Sequence, residues 1–148
     1  MSTAWISETR ENQDRVTQQR ERIAALTHGL AGVWFREFVT ETESIVAELN
    51  RQYPEKFNRE LRLVVSAVGF ELRCGPNIVF DCTMVSGIIL KVTRHKPVGK
   101  FGKWNAMPDH YTARLDHNEN LFFESKSGQP VPCDGMGQEL FAYLTDAD

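Results

Sequence analysis

The side chains able to hold a metal ion are spread thinly along this chain of 148 residues. Beyond the first 50 residues they are Cys74, Cys82 and Cys133 together with His95, His110 and His117. A zinc site needs four thiolate, imidazole or carboxylate ligands converging tetrahedrally, and sequence usually supplies them as close pairs. No CxxC, HxH or HExxH spacing occurs. Cys82 alternates with Phe80 and Met84, the setting in which a free cysteine acts as a small hydrophobe. No metal and no cofactor is therefore expected.

Acid–base chemistry has more candidates but no arrangement. Asp109, His110, Asp116 and His117 bracket the segment around Tyr111, and Glu71 and Asp81 fall on other extended segments. No serine stands in a GxSxG elbow. General acid–base catalysis depends on hydrogen-bond geometry, which residue types alone do not supply. Asp81, His110 and Tyr111 are kept as ligand-binding candidates, polar groups among aromatics that could line a pocket between a sheet and a helix. No catalytic residue is assigned, and a non-enzymatic protein is expected.

A third group is basic and aromatic. From Cys82 to Pro108 there is no Asp or Glu, while Lys91, Arg94, Lys96, Lys100 and Lys103 are all cationic. Phe101 and Trp104 are interleaved with the last of them, giving cations for phosphates and rings for bases or an anionic surface. Downstream, from Asp109 to Asp148, eight acids face only Arg114 and Lys126. The basic patch is thin and the chain carries a net charge of −3, so nucleic acid is not the expected partner.

The elements that would position these groups begin with a helix from about Ser7 to Tyr53. Apolar residues recur at Val16, Ile23, Leu26, Leu30, Val33/Trp34, Phe38, Ile45 and Leu49, in helical steps of three, four and seven. Ser7 is the expected N-cap, Glu8 and Glu11 suit the positive end of the helix dipole, and Pro54 ends the run. Residues 1–26 read as a polar arm that projects from the remainder. Gly29 and Gly32 sit mid-helix, where each costs roughly 1 kcal/mol relative to Ala. They imply either a bend near Gly29 or close packing by another element.

After Pro54 the period changes to two. The expected sheet is a five-stranded antiparallel meander. Its first strand runs from Leu61 to Cys74 with a bulge at Gly69. The others run from Ile78 to Met84, Ile88 to His95, Tyr111 to Asp116 and Leu121 to Lys126. A loop rich in Gly and Pro spans Lys96 to Asp109, and Asp134 is the expected cap of a short final helix. The fold class is thus α+β, one domain over residues 1–148, with a long amphipathic helix on the meander.

Nine Phe, three Trp and three Tyr supply core volume without disulfides. The odd cysteine count and the lack of a signal-peptide pattern predict a cytoplasmic protein with reduced thiols, and no run is apolar enough to span a bilayer. The long helix exceeds what a small sheet covers, which predicts a homodimer joined through it and a surface left for a protein or small-ligand partner. The alternative is a small enzyme or small-ligand-binding domain with a pocket between sheet and helix.

Overall fold

The structure, a computed structural model, describes residues 3–54, 60–98 and 103–146. Helix α1 runs unbroken from Ala4 to Gln52, 49 residues, or about 74 Å at 1.5 Å per residue. It starts earlier than expected: Thr3 is the N-cap residue, without a side-chain bond, and Ser7 lies inside the helix. Tyr53 closes it, its N–H donating to the Leu49 carbonyl, one residue before Pro54.

The helix is not broken at Gly29. A Cβ built on Gly29 or on Gly32 would meet nothing within 4 Å, so neither glycine serves a close approach. Both are simply tolerated, because the flanking turns are held from outside the helix by the packing described next.

Seven antiparallel strands follow in meander order: β1 (Leu61–Val65), β2 (Gly69–Cys74), β3 (Asn77–Val85), β4 (Ile89–Val98), β5 (Lys103–Leu115), β6 (Leu121–Ser125) and β7 (Pro130–Pro132). The count is seven rather than five for two local reasons. The expected first strand is a hairpin, in which Ser66 turns the chain. Its N–H donates to the Gly69 carbonyl at 2.8 Å, and its hydroxyl sits 3.2 Å from both the Gly69 N and O. Gly69 is required there because an added Cβ would lie 2.0 Å from the Cys82 carbonyl oxygen. The bulge falls instead beyond Leu72, where Leu72 pairs with Phe80 but Arg73 pairs with Ile78, so Val79 is the extra residue. The Tyr143 hydroxyl donates to the Val79 carbonyl that the bulge leaves outside the ladder.

β7 carries two prolines and is an edge strand, where their missing N–H groups break no ladder. The expected loop from Lys96 to Asp109 is mostly strand as well. β4 and β5 pair from Ile89↔Thr112 out to Val98↔Lys103. Pro97 and Pro108 fit because β3 pairs β4 only as far as Arg94 and β6 pairs β5 only from Tyr111. The end of the hairpin thus extends beyond its neighbours with open flanks.

Strand alternation puts Leu72, Phe80, Cys82, Leu90, Val92, Tyr111, Ala113 and Phe123 on one face, all buried. The helix covers this face with Thr27, Ala31, Phe38, Thr42, Val46 and Leu49. The buried stripe therefore shares only Phe38 and Leu49 with the apolar run that the spacing marks out. Thr27 and Thr42 enter the core because each hydroxyl donates to the carbonyl four residues back, Ile23 and Phe38, and leaves its methyl for packing.

The C-terminal segment crosses back over the same face as a 3-10 turn (Cys133–Gly135), helix α2 (Met136–Phe141) and a second 3-10 turn (Ala142–Thr145). Asp134 makes no capping bond, and the residue before α2 is Gly135. Gly137 lets α2 approach α1, since an added Cβ would sit 3.0 Å from Ile45 Cδ1. Phe141 then stacks on Phe38 at 6.0 Å and meets Phe80 edge-on at 4.8 Å, joining both helices to the sheet through aromatic contacts.

Candidate functional site

The first feature that packing within the chain does not explain is the leading half of α1. Every residue from Thr3 to Ala25 is exposed, and Thr27 is the first to be buried. Its apolar members are nevertheless aligned. Trp5, Thr9, Asn12, Val16, Gln19 and Ile23 follow steps of four and three, and the series continues through the half-buried Leu26 and Leu30. Trp5 is 64% exposed, Val16 50% and Ile23 39%. This line lies roughly 80° around the helix axis from the buried stripe, at 3.6 residues per turn. Its polar members are tied along the helix: Arg15 donates to Asn12, and Arg22 Nε donates to Gln19 at 3.4 Å. Arg22 also bonds Glu119 in the β5–β6 turn, which anchors the base of the exposed segment and lowers the Glu119 carboxyl below its ordinary range.

The second feature is a polar cluster on the helix-covered face. Arg94 on β4 donates to Asp109 Oδ2 at 3.2 Å, to the Tyr111 hydroxyl at 2.9 Å and to the Glu139 carbonyl at 3.0 Å. The Tyr111 hydroxyl in turn donates to Glu139 Oε1 at 3.0 Å. Burial, only partly offset by Arg94, pushes the Tyr111 phenol up to about 12. It is a proton donor at neutral pH and not a base. Asp109, Tyr111 and Glu139 also border an open cavity of about 550 Å³, closed on its other side by Ser125, Ser127 and Gln129. The cluster fastens α2 to β4 and β5, and its four side chains partner one another.

The expected ligand-binding trio is not brought together. Asp81 and His110 lie on the face away from the helices, and Tyr111 lies on the helix-covered one. Asp81 Oδ2 accepts a hydrogen bond from His95 Nε2 at 3.0 Å, and His110 is exposed opposite Lys91. Of the basic residues, Lys91 is exposed on that same far face. Arg94 is absorbed in the cluster, and Lys96 pairs with Asp146 at 3.5 Å beside the Tyr143 ring. Trp104 is 37% exposed near the end of the β4–β5 hairpin, and Lys103 is the first residue of β5. Lys100 and Phe101 lie outside the described residues.

Two members of the cluster carried no sign of their partners in the sequence. Asp109 stands among the acid–base candidates with nothing that links it to Arg94, and Glu139 lies 45 positions beyond Arg94. Among the described residues no three His, Cys, Asp or Glu side chains converge as a metal site. Burial raises the Cys82 thiol strongly and the Cys133 thiol to about 11, which disfavours the reactive thiolate at both. No described helix is long and apolar enough to cross a membrane. Comparison of the chain with family models, with curated proteins and with solved structures yields no match.

Proposed function

We propose that the chain acts by association, as a homodimer joined through the N-terminal half of α1, which leaves the far sheet face and the β4–β5 hairpin to meet another protein. The observation that carries this reading is the line Trp5–Val16–Ile23, apolar at coiled-coil spacing on a segment that its own sheet leaves exposed. Between Ala4 and Leu26 the acids Glu8, Glu11, Asp14 and Glu21 balance Arg10, Arg15, Arg20 and Arg22, so two copies of the segment do not repel through net charge.

Light scattering after size exclusion tests it. The wild-type chain is expected at twice its monomer mass. Val16→Lys with Ile23→Lys is expected at the monomer mass with an unchanged circular dichroism spectrum. A wild-type monomer at high micromolar concentration overturns the reading.

A second reading, small-ligand binding, is favoured by the cavity beside Tyr111 and Glu139. It ranks below the first because Arg94, Asp109, Tyr111 and Glu139 already spend their hydrogen bonds on one another.

A further inference from the structure

We infer that the partner of the exposed half of α1 is a second copy lying parallel and in register, so that Asn12 meets Asn12 and Gln19 meets Gln19 across the seam. This orientation rests on the homodimer reading and deepens it. The seam has an alternation that a partner must match. Trp5, Val16 and Ile23 are apolar, whereas Asn12 and Gln19 interrupt them at equivalent positions seven residues apart.

In a parallel, in-register pair each layer faces its own kind, and the two amides of a layer can each give and take a hydrogen bond. The antiparallel alternative that seats Trp5 over Leu30 places Asn12 against Ile23 and Gln19 against Val16. Both amides then lie in apolar layers, where Arg15 and Arg22 serve only their oxygens and the buried NH2 groups are left without an acceptor, which is costly. Charge does not separate the two orientations. Arg15 faces Arg20 of the other copy in the parallel pair and faces Arg22 in the antiparallel one. The polar layers decide.

An identical helix is also the occupant that these layers select. A generic apolar groove would receive Trp5, Val16 and Ile23 but would leave Asn12 and Gln19 unmatched. The seam meets the domain at its rim, where Leu26 and Leu30 are half-buried, so the sheets of a parallel pair sit at the same end.

Oxidative cross-linking of the full chain tests the orientation. Facing positions of this kind in a parallel pair lie near the roughly 4.4–6.8 Å Cα separation that a disulfide spans. Asn12→Cys alone is expected to give a non-reducing gel band at twice the monomer mass, while the wild-type chain, which retains Cys74, Cys82 and Cys133, gives none. If Asn12→Cys stays uncrosslinked and only Asn12→Cys combined with Ile23→Cys links, the pair is antiparallel and the inference falls while the dimer stands. If neither links although light scattering reports a dimer, the interface lies elsewhere and the inference falls. A wild-type monomer in light scattering removes both.

Discussion

Arg94 joins parts of the chain that are far apart in sequence, reaching Asp109 and Tyr111 on β5 and the Glu139 carbonyl on α2. Its side chain is 15% exposed, and that of Asp109 is 28% exposed. Replacing Arg94 by Met keeps the volume but leaves Asp109 without its cation and the Tyr111 hydroxyl oxygen without its donor. The expected loss is about 2 kcal/mol, less than for a fully buried pair because water reaches Asp109. Tyr111→Phe keeps the ring packed and removes one hydroxyl, for about 1 kcal/mol. Urea denaturation checks the order: Tyr111→Phe costing more than Arg94→Met would show that the guanidinium is not the hub. The hydrophobic part of this site was legible in sequence, since Tyr111 alternates with Ala113 and Leu115. Its polar partners were not, because long-range contacts with Glu139 leave no periodic trace.

The helix is continuous through Gly29 and Gly32 although both residues weaken it. With open space around each absent Cβ and ordinary helical backbone, Ala at either position adds helix propensity and clashes with nothing. Gly29→Ala and Gly32→Ala are each expected to stabilise the chain by up to about 1 kcal/mol, measured as a higher midpoint in urea at unchanged slope. A lower midpoint would mean that a neighbour does need the space. Continuity is a tertiary outcome. Thr27 and Ala31 are buried on either side of Gly29, and Phe38 stacks on Trp34 at 4.7 Å just beyond Gly32, so packing holds the turns that propensity would loosen.

At the base of the exposed half of α1, Arg22 bonds Glu119 in the β5–β6 turn. In the same turn Asp116 accepts hydrogen bonds from the Asn120 and Asn118 amides and is lowered. Near the other end of the helix Glu48 is held down to about 2 by Arg51 and Gln52. All three carboxyls are depressed in the folded chain. Their contribution is therefore present above the ordinary carboxylate range, about 4, and lost as pH falls through the depressed values. The melting temperature is expected to decline between about pH 4 and pH 2, and Glu119→Gln should flatten that decline. An identical slope in the variant would show that the Arg22–Glu119 contact does not persist in solution.

Local periodicity was sufficient for much of the architecture. The three-to-four spacing from Val16 to Leu49 marks the helix, and the alternation Ile78–Phe80–Cys82–Met84 marks β3. The turns at Gly75–Pro76 and at His117–Asn120 are where their residue types place them. The same periodicity misassigned the burial on α1. Val16 and Ile23 are apolar and exposed, whereas Thr27 and Thr42 are polar and buried. Which stripe of a helix is buried depends on where the sheet lies and how far it extends, and a threonine that bonds its own backbone is admitted to the core. The Ser66 hairpin and the proline-bearing β7 were hidden for a similar reason. Ser66–Ala67–Val68 lacks the Asn-Gly or Asp-Gly signal of a tight turn, and prolines read as breaks until an edge position makes their missing N–H harmless. Side-chain type sets the period of an element, and the neighbour across the core sets which of its faces the element buries.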